Sequence, residues 1–98
     1  MPDTPFRFVV LWFDRHDNAF QLTELEEALT ARQFIPRPDD YLAAGADEDN
    51  VQALDEKGNP VTLRLKVVQV DSVVIDPFTD EVTLTCLELQ ERLLEIEN

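Results

Sequence analysis

The side chains that could do chemistry in this chain are few and scattered. Asp14, His16 and Asp17 stand close together in one polar run. Two carboxylates and an imidazole at that spacing suit a metal site or an acid–base pair. A metal centre needs three or four converging ligands, and His16 is the only histidine, so the run reads first as a solvated turn. Asp47-Glu48-Asp49 is the sharpest acidic cluster. A calcium loop needs alternating oxygen ligands, a glycine at its sharp turn and a closing glutamate. That pattern is absent, and the cluster reads as an exposed loop; its functional alternatives are a weak divalent-cation site or a docking point for a basic partner.

Nucleophiles are equally isolated. Ser72 is the only serine and Cys86 the only cysteine. Either would need His16 as its base, and neither stands in a recognisable nucleophile context. Gly45 and Gly58 are the only glycines, so there is no glycine-rich phosphate loop. No catalytic, cofactor or metal residue is therefore assigned, and no cofactor is expected. Arg64 and Lys66 are two cations on what reads as the wet face of one strand, in an otherwise acidic region. Exposed cross-strand ion pairs would explain them; so would the polar rim of a partner site. The candidate partner-binding residues are Arg64, Lys66, Asp47, Glu48 and Asp49.

The element that must position them is 61–75, the densest β-branched run of the chain. Val61, Leu63, Leu65 and Val67 alternate with Thr62, Arg64 and Lys66, the period of a half-buried strand. The phase then slips to Val68 and Val70, and Asp71-Ser72 interrupts before Val73-Val74-Ile75. The slip calls for a bulge or a change of sheet position. Strands are expected over 60–70 and 72–76, joined by a corner or strong bend. Gly58, Asn59 and Pro60 supply turn chemistry upstream, making 51–67 a hairpin with 51–55 as its first strand. Asp76 to Glu81 makes a second turn, returning 82–84 beside 73–75.

Phe6 to Phe13 is the other β segment, apolar on both faces towards its end, as in a covered central strand. Thr23 and Glu26 form a capping box for a helix over 24–33, and Glu24, Glu26 and Glu27 suit its positive end. Pro36 and Pro38 stop it and make 34–38 a stiff extended connector, with a polyproline-type recognition segment as the alternative. Residues 39–44 read as one helical turn ended by Gly45. Thr85 and Glu88 repeat the capping-box spacing and predict a helix over 86–97, whose apolar arc includes Cys86, Leu87, Leu89, Leu93, Leu94 and Ile96. The alternative is that 82–89 continues as strand, since Val82-Thr83-Leu84-Thr85 is β-prone. The sum is an α+β two-layer domain over 1–98: an antiparallel sheet of four or five strands (a meander over 51–84 plus the N-terminal strand) with two helices, in the order β-α-β-β-β-β-α.

The chain has 98 residues and a formal net charge of −13. Residues 1–37 carry four basic and six acidic side chains, net −2; residues 38–98 carry four and fifteen, net −11. Phosphate backbones are bound by clustered Lys and Arg, so this balance argues against direct nucleic-acid or anionic-membrane binding. No apolar run reaches the roughly 18–20 residues of a membrane span. A lone cysteine and no signal-like N-terminus favour the cytoplasm. Val10-Leu11-Trp12-Phe13-Asp14 resembles the Val-Leu-Trp-Leu-Asp-like opening of a small ribosomal protein family of cyanobacteria and plastids. Nothing downstream matches, and no role is carried over.

The expected function is a non-enzymatic interaction module, a small subunit or assembly factor engaging a basic protein surface, with a homodimer through the 86–97 helix as a further option. The alternatives are a small enzyme or divalent-metal protein using Asp14, His16 and Asp17 or the 47–49 cluster, and an acidic mimic of nucleic acid.

Overall fold

A computed structural model describes residues 5–46 and 50–88. Its elements are β1 (Arg7–Phe13), β2 (Ala19–Gln21), α1 (Thr23–Arg32), β3 (Tyr41–Ala43), β4 (Val51–Leu54), β5 (Pro60–Leu63), β6 (Val67–Asp76) and β7 (Glu81–Leu87). The strands form one sheet in the order β3-β6-β7-β1-β2-β4-β5. All neighbours are antiparallel except β1 and β7, which run parallel in register from Arg7↔Glu81 to Phe13↔Leu87.

The expected α+β two-layer fold is therefore corrected. A seven-stranded mixed sheet with one helix among the described residues replaces four or five antiparallel strands under two helices. The chief error lay at 81–87. The capping box of Thr85 and Glu88 is not used: Thr85 sits mid-strand, opposite both Leu11 and Ser72. Val82, Leu84 and Cys86 are buried, while Thr83 and Thr85 between them are only half-buried. That is a strand's period of two. The strand alternative at this position was the right one. The rest of the expected 86–97 helix lies outside the described residues, as does the dimer contact drawn from it. The helical turn at 39–44 is likewise replaced, by the short strand β3 against β6.

The central run keeps its β character but breaks elsewhere. The strand ends at Leu63, resumes at Val67, and then runs unbroken to Asp76. Asp71 is a bulge: Val70 faces Cys86, and Ser72 already faces Thr85. The extra residue puts Val68, Val70 and then Val73 on the core face, so the slip in sequence phase is absorbed without exposing the apolar set. Both expected turns form. In the β4–β5 hairpin Gly58 has φ of 82°, and Asp55 Oδ1 accepts the N–H groups of Lys57 and Asn59. In the β6–β7 hairpin Asp76 pairs with Glu81.

The connector at 64–66 forces the sheet to curl. β5 is an edge strand, and β6 lies five strand spacings away in the sheet order. Flat, that is roughly 24 Å at about 4.8 Å per spacing. The link from Leu63 to Val67 reaches about 15 Å at most. The two margins must therefore approach, and Leu65 of the connector is buried in one core with Val51 and Ala53 of β4 and Val68 and Val70 of β6. The concave side becomes the core: Phe8, Val10, Trp12, Val51, Ala53, Leu65, Val68, Val70, Val82, Leu84 and Cys86, completed by Leu22, Leu25 and Leu29 of the α1 region. Full burial of an aliphatic side chain of this size stabilises by about 1.5–3 kcal/mol.

Helix α1 fills the seam where the sheet is thinnest. β2 joins β4 through a single residue pair, Gln21↔Leu54, which leaves the edges of β1 and β4 open on either side of the helix. Side chains of α1 and its C-cap stand in for the missing strand. Val10 N–H donates to Glu26 Oε2 at 2.9 Å, and Phe6 exchanges both its backbone groups with the Gln33 amide. On β4, Gln52 N–H donates to Glu24 Oε2 at 2.7 Å. The helix begins and ends within one residue of the expected 24–33, but the Thr23–Glu26 capping box does not form: the cap position, Leu22, makes no side-chain bond, and Glu26 is occupied by β1.

Candidate functional site

A concavity lies between α1 and β1. It has a volume of about 640 Å³ and is lined by Arg7, Phe8, Val9, Gln21, Glu26, Glu27, Thr30, Ala31 and Glu81. Strand β1 supplies its floor, and α1 projects Glu26, Glu27 and Thr30 over it at helical spacing. Glu81, the first residue of β7, closes one end because β7 lies in register beside β1.

The groove is acidic. Three carboxylates and one guanidinium line it, and that guanidinium is engaged: Arg7 Nη2 donates to Glu81 Oε2 at 2.8 Å. Glu26 is half-buried between two donors, Val10 N–H and the Gln21 amide at 2.9 Å. Burial pushes its pKa upward, opposed by those hydrogen bonds and aided by the charges of Glu27 and Glu81. Glu27 is exposed, the carboxylate on this wall most open to a cation from outside. Arranged this way, the groove can receive an ammonium or guanidinium group.

Beyond the Glu81 end stands the β6–β7 hairpin tip. Arg7 N–H donates to the Asp80 carbonyl at 2.9 Å, which ties that turn to the mouth of the groove. Phe78 at the tip is 94% exposed, Val74 60% and Ile75 47%. Val74 lies opposite Thr83 and Ile75 opposite Val82, so the ribbon's outer end is apolar on both faces.

The residues singled out from sequence do not converge on this place. Arg64 and Lys66 are exposed on the connector between β5 and β6; they rim the crossover and not a strand face, because the strand has already ended at Leu63. Asp47, Glu48 and Asp49 lie outside the described residues. The Asp14 carboxylate is turned onto its own loop, taking the N–H groups of His16 and Asn18 at 2.8 and 2.9 Å. Among the described residues no group of three or more His, Cys, Asp or Glu side chains could hold a metal ion. Cys86 and Ser72 do not share a site with His16: Cys86 is wholly buried, Ser72 lies within β6, and His16 is exposed in a turn. Burial, with the charge of Asp71, pushes the Cys86 thiol up to about 12.

Reading the sequence missed Glu26, Glu27, Glu81 and Arg7 as one constellation. Glu26 was visible only as a helix-cap residue. Arg7 and Glu81 are 74 positions apart, and no local pattern joins them. The hairpin tip has a signal, Phe78 within a Pro-Phe-Thr-Asp turn, but those residues are also ordinary turn composition.

Compared with known protein families, curated proteins and solved structures, the chain matches none. No helix of the described residues is long and apolar enough to cross a membrane.

Proposed function

We propose that this protein is a non-enzymatic interaction module, a small cytoplasmic subunit or assembly factor, that docks a basic surface of a partner protein. The observation that carries the reading is the α1–β1 groove. Its one cation is spent on Glu81, and Glu27 faces outward from its wall. A net charge of −13 on 98 residues steers such a surface towards positive partners and speeds the encounter. The sheet edges are poor alternative docking sites: β3 and β5 are three and four residues long, and β5 begins with Pro60.

The test is affinity capture from the source cell across a salt series, with light scattering on the purified complex. A basic partner retained at low salt, released near 0.5 M where the Debye length has shrunk to roughly 4 Å, and weakened by Glu27→Lys is the expected result. Failure to retain any partner at the lowest salt refutes the reading.

A further inference from the structure

Resting on that reading, we infer that the β6–β7 hairpin tip is the apolar anchor of the docking surface: Phe78 inserts into a hydrophobic pocket of the partner protein whose margin carries Lys or Arg. Apolar groups exposed together at one end of a small domain and rimmed by polar residues mark contact sites, whereas a single exposed apolar residue does not. Here Phe78 stands 94% exposed in the turn, and Val74 and Ile75 are exposed on opposite faces of the strand that leads into it. Truncating a hairpin end to polar residues would cost the fold little, since none of the three belongs to the buried core.

The chemistry of the partner follows from what surrounds the tip. Asp76, Asp80 and Glu81 stand within three residues of Phe78 in sequence. An apolar side chain flanked in sequence by carboxylates is repelled by an anionic lipid surface and matches an apolar pocket with a basic margin. The groove continues the same character: its Arg7–Glu81 end is bonded directly to the hairpin turn. A basic segment flanking the pocket would reach Glu27 in that groove.

The tip is also held in a defined shape before binding. Asp76 Oδ1 accepts the Phe78 backbone N–H at 2.9 Å, and Asp80 adopts φ of 58° to close the turn. A side chain presented from a bonded turn loses less freedom on docking than one on a loose loop, and central aromatic anchors dominate interface energetics.

The experiment uses the full chain with a photo-crosslinking phenylalanine analogue at position 78 and, separately, at position 27, in the cell of origin. Crosslinked peptides are sequenced and mapped on the partner. Both probes should mark one partner, the position-78 crosslinks falling on apolar residues bordered by Lys or Arg. Phe78→Asp should weaken that complex at least about thirty-fold with its unfolding midpoint unchanged. Capture from position 27 with none from position 78, or full binding by Phe78→Asp, overturns the anchor and leaves the groove reading standing. Capture from neither position overturns both. Crosslinks from position 78 to a second copy or to residues 89–98 of the same chain overturn the anchor. So does Phe78-dependent sedimentation of the protein with phosphatidylglycerol vesicles.

Discussion

Glu26 is the residue at which fold and groove can be separated by measurement. Its carboxylate is the acceptor for Val10 N–H, and Val10 is wholly buried. In Glu26→Ala that N–H is left in the interior without its acceptor, which costs about 1–3 kcal/mol. The Gln21 amide also loses its partner, but it is half-exposed and water compensates. Alanine's better helix propensity returns only a few tenths of a kcal/mol. A net loss of about 2 kcal/mol should lower the melting temperature by roughly 8–16 °C in a domain of this size. Glu26→Gln keeps one carbonyl oxygen to accept from both donors and should stay within about 1 kcal/mol of wild type.

The pH dependence supplies the second half of that test. Burial raises the Glu26 pKa from its ordinary 4.5. A group raised on folding contributes stability that is full below its unfolded pKa and fades as pH climbs through the folded value. Wild type and Glu26→Gln should therefore converge at pH values below 4.5, and the wild type should lose ground as pH rises through the raised folded value. Urea unfolding of the three proteins across that range reads both effects. If Glu26→Ala is as stable as Glu26→Gln, or the wild-type-minus-Gln difference is flat with pH, then the helix is not serving as the surrogate strand beside β1.

Turn carboxylates should show the opposite sign. Asn59 N–H bonding holds Asp55 below its ordinary 3.8, and Phe78 N–H bonding does the same for Asp76. Their contribution is present above 3.8 and is lost as pH falls through the depressed folded values; the double variant Asp55→Asn/Asp76→Asn should flatten the acid limb of the stability curve measured by circular dichroism. Gly45→Ala would bring a Cβ to 2.9 Å from Val51 Cγ2, overpacking the α1–β4 seam at about 1–3 kcal/mol; a smaller loss in the Val51→Ala background, by denaturant titration, would confirm the contact. The Cys86 thiol, buried and pushed up to about 12, should resist a thiol reagent at pH 8 until the protein unfolds, and fast labelling of the native protein would place it elsewhere than the core. Leu84→Ala, at a fully buried position of a central strand, should cost about 2–5 kcal/mol in the same titration.

What local pattern decides was visible in the residues themselves. Alternation marked β1 and the start of the 61–75 region, Gly58 and Asp76 marked the two hairpin turns, and the phase slip announced the bulge at Asp71; the break at 64–66 was not legible, because the alternation runs straight through it. These depend on forces acting within about ten residues: side-chain period, left-handed backbone tolerance and turn hydrogen bonds. The 23–32 helix was legible for the same reason. Strand β7 was not, because Thr85-x-x-Glu88 is an equally good local start for a helix. The choice went to strand when β1 and β6 paired with both of its edges, contacts that span most of the chain. Burial of Val82, Leu84 and Cys86 against Val10 outweighs a capping preference worth about 1 kcal/mol. The groove belongs to the same long-range account: Arg7 meets Glu81, and Glu26 meets Val10, only because the sheet curls and opens a seam for one helix. Charge and strand period were written in the chain; which carboxylates face one another was settled by the packing of segments far apart in it.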